Sequence, residues 1–253
     1  MTTSMFDHGG RTDDAATLAA LEVDYTPTGL AVQIVDEVLR RLPPANPSRP
    51  LQVLCPAAGS GVFARAVRAL RPDAVITCVE IRESEREGLL QAADHVLIEP
   101  FDPRLIGGSY DLVIDNPPFS WFAASMLLDI RGVGLLGPRG VLAFVGLTQW
   151  GQTGSSRETL ARWWPALQLR ITGRPAFRGD GKTDFREISV WCWRTRSVWE
   201  DQPEPGEWRT VQMPALPPGL LRWNGSAVPG TYPVDQALVE RVRRCREAQG
   251  GGA

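Results

Sequence analysis

The sequence predicts an α/β protein with a mostly parallel seven-stranded sheet, helices on both faces and an antiparallel edge strand. Two observations carry this. Apolar runs of strand length alternate with segments of helical period between residues 29 and 193. That alternation packs as parallel strands joined by right-handed crossovers. The last two runs, 167–172 and 187–193, are joined by a longer polar connection, which suits an antiparallel closing pair.

Each element has its own signal. Residues 1–24 read as a tail, first polar and Gly/Asp-rich, then Ala/Leu-rich. Leu30, Ile34, Val35, Val38 and Leu39 recur at helical spacing over about 29–42, and Pro43-Pro44-Ala45-Asn46-Pro47 breaks that helix. Strands follow at 51–55, 74–79, 95–98, 111–115 and 141–147, with helices at 62–70, 84–92 and within 121–136. Ser155 is placed to cap a helix near 157–164. From about residue 198 the character changes. Prolines at 203, 205, 214, 217, 218, 229 and 233 preclude long regular elements until an Arg-rich helix at 234–248. The chain thus divides into a tail (1–24), a main domain (25–197) and a Pro-rich C-terminal extension (198–253).

Composition bounds the function. Of 253 residues, 43% are hydrophobic, enough for a sizeable core. A net charge of -2 argues against a general nucleic-acid coat but allows a local basic groove. Lys182 is the only lysine among 27 basic residues, which reads as compositional bias. Cys55, Cys78, Cys192 and Cys245 show no paired spacing, and His8 and His95 stand far apart. This argues against a disulfide framework and against a metal site. No signal core or membrane-length apolar run occurs. The expectation is a soluble, cytoplasmic protein with no membrane partner.

The most informative stretch is Asn116-Pro117-Pro118-Phe119, directly after the apolar run ending at Asp115. Two prolines cannot continue a sheet ladder, so they end the strand in a stiff loop. An amide oxygen beside a backbone carbonyl can accept both protons of an exocyclic amine, and an aromatic ring can stack on a flat base. Open α/β sheets bind ligands at this end of their strands.

Three further features align with it. Pro56-Ala57-Ala58-Gly59-Ser60-Gly61 lies between the first strand and its helix, where glycines let backbone approach a ligand. Glu80 ends the second strand, about 20 residues after that loop, as suits an acid accepting ribose hydroxyls. After the third strand, Asp102 could accept from an adenine amine, with Phe101 or Ile81 against the ring. Together they describe a nucleoside-containing cofactor beside a planar, amine-bearing substrate.

On these motifs the chain resembles class I S-adenosylmethionine-dependent methyltransferases of the amino-methylating type. It is most similar to DNA adenine-N6 methyltransferases of small phage or mobile-element form. The resemblance covers about residues 22–195 and implies a Rossmann-like fold, S-adenosylmethionine as cofactor, and a bacterial or phage-infected host. It makes Asn116, Pro117, Pro118 and Phe119 the catalytic motif. It implies cofactor contacts from Tyr25, Thr26 and Pro27, from Pro56, Ala57, Gly59 and Gly61, from Glu80 and Ile81, from Phe101 and Asp102, and from Asn116. Pro56 departs from the acidic residue often found there, and the large recognition domain of bigger members is missing from the pattern.

The implied partner is DNA, with the target adenine extruded from the helix; RNA is the other nucleic acid that the motif admits. Trp121, directly after the motif, and Arg178 and Lys182, in the basic loop 174–186, are the candidate substrate contacts. Trp191 and Trp193 read as sheet packing. The alternatives are N2-methylation of guanine in RNA, N5-methylation of a protein glutamine, or a catalytically silent binding subunit. Asn-Pro-Pro-aromatic is shared by those enzymes, whereas Tyr25-Thr26-Pro27 favours DNA adenine.

Overall fold

The computed structural model describes residues 25–41, 48–119, 130–177, 186–195, 208–222 and 234–249. Trp121, Arg178, Lys182, the 1–24 tail and the 43–47 breaker lie outside them.

Helix α1 (Thr28–Arg41) leads into β1 (Gln52–Cys55), α2 (Val62–Leu70) and β2 (Val75–Glu80). Next come α3 (Arg86–Leu90), β3 (His95–Ile98), β4 (Tyr110–Asp115) and β5 (Leu136–Leu147). The chain continues through α4 (Arg157–Arg162), β6 (Leu167–Arg170), β7 (Ile188–Arg194), β8 (Arg209–Gln212) and α5 (Gln236–Glu247). The strands form one sheet in the order β3-β2-β1-β4-β5-β7-β6-β8. Strand order reverses between β1 and β4, the switch point where ligands bind in open sheets.

The sheet corrects two expectations. It has eight strands, not seven, because Arg209–Gln212 pairs in parallel with β6 and forms the edge. The antiparallel strand is β7, inserted between β5 and β6 and antiparallel to both. Each residue of β7 is buried, as an inner strand requires and an edge strand does not.

Local chemistry explains other shifts. Strand β5 starts at Leu136, not Val141. A Cβ at Gly140 would sit 2.8 Å from the Tyr110 carbonyl oxygen, so glycine permits close pairing with β4 beside a register shift at Tyr110. Ser156, not Ser155, precedes α4, and its hydroxyl donates back to the Thr153 carbonyl at 2.8 Å. The helix stops at Arg162 because Trp163 turns extended and buries its indole, which donates to the Arg194 carbonyl at 3.0 Å. The predicted 84–92 helix begins as a 3-10 turn at Glu83–Glu85 and becomes α only over α3.

Two apolar clusters cover the two sheet faces. One joins α1 and α2 to β1 and β2 through residues such as Leu30, Ile34, Phe63 and Val67. The other packs Val113 and Phe144 with a tryptophan series in which Trp150, Trp191, Trp193 and Trp208 meet edge to face. The extension docks on α1. Gln33 Nε2 donates to the Pro214 carbonyl at 2.7 Å, and Asp36 pairs with Arg246. Asp235 caps α5 by accepting from Leu238 N–H at 2.8 Å.

Candidate functional site

The site is built from the loops at the carboxyl ends of β1, β2 and β4. The loop after β1 makes its tight path with Gly59 at φ 53° and Gly61 at φ 79°, both in the left-handed region. Ala58 N–H donates to the Val79 carbonyl at 2.9 Å, and Gly61 N–H to the Ala58 carbonyl at 2.8 Å. A Cβ on Gly61 would come within 2.9 Å of the Leu89 side chain.

Glu80, at the end of β2, reaches this loop. Its Oε2 accepts from Gly59 N–H at 2.7 Å, and its Oε1 accepts from Arg82 N–H at 3.0 Å and Arg82 Nε at 2.8 Å. Oε1 is therefore saturated, while Oε2 keeps one lone pair for another donor. Arg82 continues the chain of contacts. It donates to the Tyr25 hydroxyl at 2.8 Å, pairs with Glu85 at 3.0 Å, and lies 5.6 Å from the Tyr25 ring centroid. Burial opposes its charge, but Glu80, Tyr25 and Glu85 together hold the guanidinium pKa above its usual value. Tyr25 donates to Glu85 at 2.9 Å, and burial pushes its phenol up to about 12. The Thr26 hydroxyl next to it is buried without a hydrogen-bond partner among the described residues.

Asp115 ties the second half of the site to the first. Its Oδ2 accepts from Ala57 N–H at 2.8 Å, and its Oδ1 accepts from Asn116 N–H at 2.9 Å. The side chain is 2% exposed, so one carboxyl group spans the β1 loop and the Asn116-Pro117-Pro118-Phe119 loop. Burial raises its pKa to about 7, helped by the nearby Glu80 charge and opposed by the two N–H bonds. Phe119 is half-buried against the α1-side core, and Arg186 sits over its ring at 4.9 Å from the centroid.

Tyr25, Gly59 and Glu80 are thus joined by hydrogen bonds, and Ala57 and Asn116 by the shared Asp115. Asp102 is not drawn into this network. It accepts from Arg104 N–H at 2.9 Å and Arg104 Nε at 3.0 Å, contacts that hold its carboxyl below the usual range. Phe101 packs beside the tryptophan-rich cluster. Sequence reasoning gave no role to Arg82, Glu85 or Asp115. A signal existed for two of them: Arg82 follows Glu80 at i+2, on the same side of extended chain, and Asp115 is an ionisable group closing an apolar run.

Neither a known protein family nor a curated protein matches the chain by sequence. Solved structures do match. A Pyrococcus horikoshii protein, provisionally named an RNA methyltransferase, aligns at TM-score 0.50 with 16% identity, over 70% of this chain and 89% of its own. An Agrobacterium tumefaciens protein predicted to be an O-methyltransferase aligns at TM-score 0.48 with 16% identity, over 87% and 96%. The Synechocystis magnesium protoporphyrin IX methyltransferase aligns at TM-score 0.44 with 17% identity, over 74% and 86%. At such identities it is fold that is shared, and the strand order and the first of these likenesses agree on it: the chain has a Rossmann-like methyltransferase fold.

Proposed function

We propose that this protein transfers a methyl group from S-adenosylmethionine to the exocyclic N6 amine of adenine in DNA. The observation that carries this reading is the Asp115 carboxyl group, bonded at once to Ala57 N–H and Asn116 N–H. It fixes the distance between a glycine-bearing loop suited to a nucleoside cofactor and an amide-bearing loop suited to an amine.

The residues present fit the cofactor. Gly59 and Gly61 keep the β1 loop free of side chains, Glu80 Oε2 has a lone pair left for a ribose hydroxyl, and the buried Thr26 hydroxyl lacks a partner. When bound, the sulfonium supplies an activated methyl group open to in-line displacement. The protein's task is then positioning. The Asn116 amide oxygen and the Pro117 carbonyl accept from the target amine, aim its lone pair and stabilise charge developing on nitrogen. Pro117 and Pro118 keep that loop stiff, and Phe119 offers a face or edge to the extruded base. Tyr25 and Pro27 flank Thr26 at the cofactor's methionine end, Pro56 and Ala57 border it, and Ile81, Phe101 and Asp102 belong to its adenine side. Trp121, Arg178 and Lys182 serve the DNA strand.

The test is incubation with labelled S-adenosylmethionine and, separately, duplex DNA, RNA and protein extract. Mass spectrometry then identifies the modified residue. N6-methyladenine in DNA is the expected product. Label on guanine N2 in RNA or on glutamine would replace the substrate. Cofactor binding with no transfer to any of the three would make the chain a binding subunit.

A further inference from the structure

An open pocket lies on the same sheet face as Asp115, away from the loops described above. Side chains in register on neighbouring strands share a face, and one such row runs Asp115, Phe144, Trp191, Gln168, Thr210 across β4, β5, β7, β6 and β8. Its far half floors an open pocket of about 650 Å³, within the range of small-ligand sites. We propose that this pocket is a recognition subsite for a nucleobase flanking the methylation target. The proposal rests on the nucleic-acid reading above.

The pocket is organised in advance. Gln168 is buried and uses both ends of its amide. Its Oε1 accepts from Trp208 Nε1 and Thr210 Oγ1, each at 3.3 Å, while its Nε2 donates to the Thr148 carbonyl at 3.1 Å and to Ser189 Oγ at 3.3 Å. Trp208 is pinned further by Trp191, edge-on at 5.4 Å, and by Trp164, stacked at 6.0 Å. It nevertheless remains half-buried, so ring surface is left for a ligand. A Cβ at Gly151 would approach the Trp191 and Trp208 rings to 3.0 and 3.2 Å, so a side chain there would press both indoles back by a few tenths of an ångström. Above them stand the exposed amides of Gln149 and Gln152, which make no side-chain hydrogen bond among the described residues.

An indole platform beside free carboxamides matches a planar heterocycle with donor and acceptor edges. Stacking holds any base, and a Gln amide can read one edge bidentately. The pocket connects to the methylation site through β7. Arg186 lies on the Phe119 ring, and the next residue, Glu187, accepts from Thr148 N–H at 2.8 Å and pairs with Arg170 on the pocket wall at 3.0 Å. Trp191 is two strand spacings from Asp115, about 10 Å. That equals about three nucleotide steps at roughly 3.4 Å each.

The test is an abasic walk. Oligonucleotides carrying one target adenine receive a single abasic site at each flanking position, and kcat/KM is measured for each. In the unmodified protein, one position about two to four nucleotides from the target should cost about tenfold. In Trp208→Ala that position should fall silent while the others keep their effects, and Trp208→Phe should restore its sensitivity. Gln149→Ala and Gln152→Ala alter only exposed side chains, so they serve if Trp208→Ala fails to fold; either should flatten base preference at the same position. Methylation with a flat walk, or with a walk that none of these variants changes, overturns the subsite and leaves the methyltransferase reading standing. No methylation of any oligonucleotide alongside transfer to protein overturns the nucleic-acid reading, and the subsite with it.

Discussion

Arg186 holds its guanidinium 4.9 Å from the centre of the Phe119 ring. Two residues far apart in sequence thereby share one surface beside the proposed amine site. A double-mutant cycle of Phe119→Ala and Arg186→Ala on single-turnover transfer should therefore be non-additive, with a coupling of about 0.5–1 kcal/mol. Phe119→Trp should retain more activity than Phe119→Ala, because a π-face for the cation and for a base remains. Strict additivity would show that the contact has no part in transfer.

Asn116 should separate chemistry from cofactor binding. Asn116→Ala keeps the backbone N–H that Asp115 accepts, so the loop keeps its anchor. Cofactor affinity measured by calorimetry should change little, while single-turnover transfer falls by roughly two to three orders of magnitude. Full activity would reduce this loop to a structural turn.

Glu80 is predicted to act on the cofactor side alone. Glu80→Ala removes the acceptor for Gly59 N–H and leaves the buried Arg82 without its closest carboxylate. Affinity for the demethylated cofactor should drop by about 1–3 kcal/mol. Glu80→Gln keeps an acceptor oxygen but loses the ion pair, so it should fall between the two. Unchanged binding in both variants would remove Glu80 from the site.

Asp115 should give stability a pH signature. Its folded pKa is raised to about 7, above the ordinary carboxylate value of 3.8. Between these values the folded state binds more protons than the unfolded state, so stability from this group falls as pH rises. It is fully present below about pH 4 and lost by the time pH passes about 7. Urea titrations across this window should show the decline in the unmodified protein. Asp115→Asn, which cannot ionise, should show a shallower one. Parallel curves would mean that Asp115 does not titrate there.

Much of this organisation is readable in the chain because its signals are local. The strand–loop–helix order around Gly59 and Gly61, and the stop imposed by Pro117 and Pro118, follow from backbone chemistry within a few residues. What escapes is cooperative over distance. Arg82 looks like a surface arginine until the fold sets it between Glu80, Glu85 and Tyr25. Gly140 breaks the apolar pattern of β5 because closeness to Tyr110, and not apolarity, decides that position. Arg209-Thr210-Val211-Gln212 has no apolar run at all; hydrogen bonding to an already formed neighbour makes it a strand.

That eighth strand also has a protective consequence. Without it, β6 would present its unpaired N–H and C=O groups to solvent beside the buried Leu167 and Leu169, an open template for another chain. With it, the outermost strand is short, polar and largely exposed, and carries Arg209. The pairing thus covers an edge that would otherwise favour association with another chain. A chain ending at residue 197 should pass from single particles to larger species as concentration rises in light scattering, whereas the full chain should not.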